Sequence, residues 1–176
     1  MNNIVDKIKN KSDLVAIYAN KSDGDKFAVG YILNNTDEEI IMLNINPYGK
    51  YDGMSAFLVD DIFRVEYESL YLNKIDRLIE KNFDFPVIEY NEGIFDGLLK
   101  YSKNNNKIVM IKIGNSYEYI TGIISEIEKE FISLKQVDQY GIYDGSVIIK
   151  KSEISCVVSD DEDCRSIRKI LEQQII

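Results

Sequence analysis

Short apolar runs separated by polar, glycine-bearing breaks recur along this chain, which is the pattern of strands joined by turns. "LVAIYAN" starts at Leu14, "KFAVGYIL" at Lys26, "EIIMLNI" at Glu39, "MSAFLV" at Met54 and "IFRVEY" at Ile62. Asp23-Gly24 is a turn signal between the first two, and only Asp60 and Asp61 separate the ends of the last two. A second series follows in the same order: "IVMIKI" from Ile108, "YEYITGIIS" from Tyr117, "EFISLKQV" from Glu130, "SVIIK" from Ser146 and "ISCVVS" from Ile154. Each series predicts five strands rich in Ile, Val, Tyr and Phe, residues that suit a half-buried pleated surface.

Helical spacing brackets both series. Ile4, Val5 and Ile8 predict a short leading helix, echoed by "IFDGL" at Ile94–Leu98. Tyr71, Ile75, Leu78 and Ile79 predict a trailing helix with one apolar face. Ile167, Ile170 and Leu171 repeat that face after "SDDED", an acid-rich stretch suited to the positive end of a helix dipole. Without alternating ligands or a central glycine, the run reads as capping and solvation rather than a calcium loop.

The two series are copies of one unit. Shifting the chain by ninety-two residues aligns Phe27–Glu80 with Tyr119–Glu172 without a gap, and thirteen of fifty-four positions are identical. Chance gives about three, at a background of roughly 6%. Matched positions include Gly30/Gly122, Ile40/Ile132, Ile62/Ile154 and Val65/Val157. The longest match is "YGKYDG" at Tyr48–Gly53 against "YGIYDG" at Tyr140–Gly145. A longer first loop, "ANKSDGDK" against "IGNSYE", changes the offset upstream. The expected organisation is a first unit over 1–82, a linker over 83–91 carrying one of the two prolines, and a second unit over 92–176.

A leading helix, five short strands, a tight turn between the last two and a glycine in strand two resemble the Sm-like (LSm-like) barrel and the wider SH3-like barrel group. The resemblance covers the strand region of each unit. It implies a mainly β fold with short helices: two tandem five-stranded barrels, each with an N-terminal and a C-terminal helix. In that family the strand-two glycine, here Gly30 and Gly122, permits sharp bending. YGxYDG then falls between strands three and four. The family's RNA-binding elements do not carry over. Where an Asp and an Asn are expected, this chain reads "NNTDEEI" (Asn34–Ile40) and "EIEKEFI" (Glu126–Ile132). The basic-glycine element is replaced by "VDDI" (Val59–Ile62) and "KSEI" (Lys151–Ile154), and acids in these loops repel phosphates.

Charge and composition narrow the chemistry. Thirty acids against twenty-one bases give a net charge of −9, which disfavours nucleic acid and anionic membranes as partners. There is no histidine, so imidazole-based nucleophile activation and histidine metal sites are excluded. No phosphate-binding or dinucleotide motif and no nucleophile elbow occurs, and no cofactor is expected. The acid pairs Asp23/Asp25, Glu38/Glu39, Asp60/Asp61 and Asp160/Asp161 suit turns and solvated loops better than an acid–base dyad. Cys156 and Cys164 are expected as reduced thiols, in a chain without export or membrane-span signals, for which a cytoplasmic location is expected.

Twelve tyrosines and no tryptophan leave tyrosine as the unusual component. The candidate partner-binding residues are Tyr48, Tyr51, Asp52, Tyr140, Tyr143 and Asp144, because tyrosine offers large contact area with a polar tip. The alternative for the same block is structural, with glycines supplying positive φ in a tight turn. The leading expectation is a non-catalytic module that binds a protein, in one form an acidic immunity- or inhibitor-type partner of a basic protein. Self-association through edge strands is a further expectation. A divergent RNA binder using Lys7, Lys9 and Lys11, or Arg165, Arg168 and Lys169, is the alternative. A carboxylate- or tyrosine-based enzyme is the least supported.

Overall fold

A computed structural model describes residues 13–19, 24–80 and 85–174. The chain separates into two compact units, Met1–Val87 and Ile88–Ile176, and the division falls within the 83–91 stretch. The fold is mainly β.

In the first unit the strands are β1 (Val15–Tyr18), β2 (Ala28–Asn35), β3 (Glu39–Ile45), β4 (Tyr51–Leu58) and β5 (Arg64–Tyr67), followed by helix α1 (Leu70–Asp76). They form an antiparallel sheet in the order β5-β1-β2-β3-β4. A 3-10 turn at Val59–Asp61 links β4 to β5, with Val59 N–H donating to the Glu38 carbonyl at 2.8 Å. Successive strand residues point to opposite faces, so this sheet buries two apolar clusters. Val15, Ile17, Ile32, Ile40 and Met42 pack with Val59 and Ile62 of the turn. On the other face Leu14, Ala16, Val29, Leu43 and Ile45 pack with Leu72 and Ile75 of α1. This double burial explains why all four residues of β1 are apolar and buried.

The second unit repeats the plan. After helix α2 (Ile94–Asn104) come β6 (Ile108–Ile113), β7 (Tyr119–Ile127), β8 (Phe131–Val137), β9 (Tyr143–Lys150), a 3-10 turn at Lys151–Glu153, β10 (Ile154–Ser159) and α3 (Glu162–Gln173). The order is β10-β6-β7-β8-β9, again antiparallel. Register agrees between the units: Gly30 faces Asn44 and Gly122 faces Gln136, with bulges after Ile32 and Ile124. Glu68 and Asp160, just before the trailing helices, share a left-handed φ of 57° and 60°. Val15 pairs with Gly30 and Val109 with Gly122, so the first strands follow the longer offset set by the unequal loop.

Helix α2 lies on β7 and β10 through Ile94, Phe95, Leu98 and Leu99. Its Ser102 hydroxyl donates to the Leu98 carbonyl at 2.7 Å and lies 2.7 Å from the Ser159 hydroxyl, which satisfies two fully buried polar groups. The expected leading helix of the first unit, at Ile4–Ile8, lies outside the described residues.

The trailing helices differ from the expected faces. Helix α1 ends at Asp76, so Leu78 and Ile79 follow it rather than belong to it. Its buried residues are Leu72 and Ile75, while Tyr71 and Leu78 are exposed at the rim. In α3 the buried face is Cys164, Ile167 and Leu171, with Ile170 at the rim. Spacings of three and four reach the sheet only from these positions, and a thiol fills the place that Leu72 takes in α1. Asp161 caps α3, its carboxylate accepting from the Cys164 N–H at 2.8 Å, and Ser69 caps α1 by accepting from Leu72 N–H at 3.2 Å.

Candidate interaction surface

Each YGxYDG block begins in a turn built on the residue two positions before its first tyrosine. The Asn46 side-chain oxygen accepts from the Tyr48 and Lys50 N–H groups, both at 3.0 Å. Asp138 does the same for Tyr140 at 2.9 Å and Ile142 at 2.8 Å. Gly49 and Gly141 close the turns at φ 76° and 71°, a region that costs other L-residues about 1–2 kcal/mol. Room is also short: a Cβ on Gly49 would lie 2.5 Å from the Leu78 backbone, and one on Gly141 2.9 Å from Ile170. The glycines therefore serve the turn and its fit under the end of the trailing helix. Asn46 and Asp138 are aligned Asx residues next to the block, and Asx side chains commonly organise such turns. That is the available signal for them, since they differ in identity and sit just outside the YGxYDG block.

The six candidate residues divide by environment. Tyr48 and Tyr140 stand at the turn tips, 76% and 64% exposed. Tyr143 is exposed, while Tyr51 is half-buried against the cluster under α1. Asp52 is half-buried and Asp144 is exposed. The structure thus keeps two tyrosine tips and Tyr143 available for contact, and assigns Tyr51 largely to packing.

The second unit also carries a cleft of about 750 Å3 that was not anticipated. Met110, Ile113, Val137 and Ile167 give it an apolar lining, with Tyr119 and Gln136 beside them. Glu118, Asp138, Asp144 and Asp163 also line it, and among the described residues no Lys or Arg does. Strand β7 contributes Tyr119, the turn before β9 contributes Asp138, β9 contributes Asp144 and the first turn of α3 contributes Asp163. Of these carboxylates the sequence singles out only Asp144, because Glu118 and Asp163 lie far from it along the chain and Asp138 falls just before the repeated block.

Burial pushes the Tyr119 phenol well above its ordinary range, and nearby Cys156 adds to the shift. Its hydroxyl stays protonated and donates to the Cys156 sulfur at 4.0 Å. Burial, then the Asp161 carboxylate, raises the Cys164 thiol strongly. Both cysteines are buried and outside any disulfide, which suits core groups rather than nucleophiles.

In the first unit Phe27 and Tyr71, aligned with Tyr119 and Asp163, belong to a cluster of rings. Phe27 meets Tyr18 at 4.9 Å between centroids and Tyr71 edge-on at 5.8 Å, and Phe63 lies 6.2 Å from Tyr18. Arg64 sits over the Tyr18 ring at 4.5 Å. Burial raises the Tyr18 phenol, and Glu66, which accepts its hydrogen bond at 3.2 Å, adds to the shift.

Of the basic residues considered for nucleic acid, Arg168 pairs with Glu172 at 2.7 Å and Arg165 donates to the Asp160 carbonyl. Lys7, Lys9 and Lys11 lie outside the described residues. Among the described residues no cluster of three or more Cys, Asp or Glu is arranged to hold a metal ion, and no helix is long and apolar enough to cross a membrane. No family model matches the chain, and comparisons with curated proteins and with solved structures find no match.

Proposed function

We propose that this chain is a non-catalytic protein-interaction module built from two Sm-like or SH3-like barrels, with an acidic surface suited to a basic protein partner. The barrel reading is supported by the strand order five-one-two-three-four in each unit, and by the 3-10 turn that returns strand four into strand five. The interaction reading is carried by the exposed tyrosines Tyr48 and Tyr140 on turns held by two side-chain hydrogen bonds each. A ring on a preorganised turn loses little freedom on binding, which is why tyrosine is common among interface anchors. A net charge of −9 favours a basic partner, in the manner of an immunity or inhibitor protein.

Support for catalysis is weak by comparison. The thiols are buried, and the acid pairs Asp60/Asp61 and Asp160/Asp161 fall in turns or beside caps. The divergent RNA-binding alternative gains nothing from Arg165 and Arg168, whose guanidinium groups already have protein partners. Affinity capture from native extract, with wild type and with Tyr48→Ala plus Tyr140→Ala, tests the reading. The expected result is a specific protein retained by wild type, its affinity reduced about 30-fold by the double substitution. Tight oligonucleotide binding with no retained protein would overturn it.

A further inference from the structure

We propose that the cleft of the second unit takes the guanidinium of an arginine presented by a basic protein partner, an inference that rests on the protein-interaction reading above. The two units supply an internal comparison. Phe27 and Tyr71 of the first unit, in edge contact, correspond to Tyr119 and Asp163, so a pair of rings in one copy becomes a ring beside a carboxylate in the other.

Four positions of the lining differ in charge from the first unit. Lys26 corresponds to Glu118, Asn46 to Asp138, Lys74 to Ser166 and Tyr71 to Asp163. Each of these four changes removes positive charge, adds negative charge, or both, while the change from Tyr18 to Lys112, on the strand beside Tyr119, runs the other way. The described lining contains four carboxylates and no Lys or Arg. A cationic occupant matches that field. A metal ion does not, because the carboxylates are spread around the cleft rather than gathered at coordination distance.

Arginine fits better than lysine on shape. Its methylene stem can lie along Met110, Ile113, Val137 and Ile167, while the planar head meets the carboxylates and the Tyr119 ring. A guanidinium presents five donors in a plane and is weakly hydrated, so it can serve several separated acceptors at once.

A blocked pentapeptide, acetyl-Gly-Ala-Arg-Ala-Gly-amide, titrated into the full chain and followed by amide NMR shifts, tests this. The control peptide carries citrulline in place of arginine, with the same shape and no charge. Saturable shifts are expected at Thr121, Gln136 and Ser166, with the citrulline peptide binding about tenfold more weakly. Asp163→Tyr, which restores the ring found in the first unit, should cost at least as much. Asp144→Asn should weaken binding by several-fold without adding bulk. Asp37→Asn, which removes one acid from the turn between β2 and β3, should leave the titration unchanged. Equal binding of the two peptides, shifts centred on the first unit, or no saturable shift at millimolar peptide would each overturn the inference. If a protein is captured as described above but the arginine peptide does not bind, the cleft inference falls and the interaction reading stands. If the arginine peptide binds but no protein is captured, the cleft stands as a guanidinium site and the interaction reading falls.

Discussion

At residue 30 the chain has no space for a methyl group. A Cβ there would lie 1.9 Å from the Leu43 carbonyl oxygen, and at Gly122 the same atom would lie 2.4 Å from that of Lys135. The obstacle is neighbouring backbone in β3 and β8, which cannot rotate away as a side chain would. Gly30→Ala and Gly122→Ala are each expected to destabilise by roughly 2–3 kcal/mol, the upper range for overpacking. Gly24, with open space around it, provides the control: Gly24→Ala should stay within about 0.5 kcal/mol. Urea unfolding midpoints would report both, and equal values for all three would remove close strand approach as the reason for these glycines. The repeat made Gly30 and Gly122 conspicuous in the sequence, and a bent strand is a sound reason for a glycine. The specific obstacle is a carbonyl across the ladder, which depends on pairing register.

At the scale of elements, local pattern read well for the strands. All ten strands lie within or beside the apolar runs, because alternation and β-branched content report directly on a pleated sheet. The trailing helices were less legible. Tyr71, Ile75, Leu78 and Ile79 fit a helical stripe, yet the structure ends α1 at Asp76 and buries Leu72. Apolar residues near a helix end can serve either the helix or the chain leaving it, and spacing does not separate the two. The turn before β4 or β9 is a third case, in which the organising group is a side chain just outside the YGxYDG block. Asn46→Ala and Asp138→Ala each remove an acceptor for two backbone N–H groups and should cost about 1–2 kcal/mol, comparable to loss of a helix cap. Thermal unfolding would measure this. Asn46→Asp, which keeps the acceptor, should recover most of the loss, and failure to do so would show that the acceptor is not what holds the turn.

For the molecule as a whole, the outermost strands carry the consequence. Strand β9 ends the order of the second sheet and is exposed along most of its length, with Ile148 71% accessible. An apolar outer strand is a template for another strand unless charge or a covering segment blocks it. Self-association of the chain through this strand, which is part of the proposed interaction behaviour, predicts a mass by light scattering that rises above 20.3 kDa with concentration. Ile148→Lys should return the mass to 20.3 kDa by placing a charge on the strand. A wild-type mass that stays at 20.3 kDa up to millimolar concentration would leave β9 without a partner from its own kind.

The duplication, the order of elements and the absence of histidine chemistry were all legible in the chain, because each depends on which residues follow one another. The candidate site was legible in part: the repeat pointed to Tyr48 and Tyr140, and both stand exposed. Tyr51 has the same local sequence signal but packs against the cluster under α1, a distinction made by residues gathered from β1, β2, β3 and α1. The cleft is the clearest product of tertiary structure. Asp163 reads as part of a capping run and Asp144 as part of the repeated block, and nothing in the sequence joins them to Glu118 or Asp138. They become one surface only because antiparallel pairing of β6, β7, β8 and β9 and the docking of α3 bring three separate stretches of chain to the same opening.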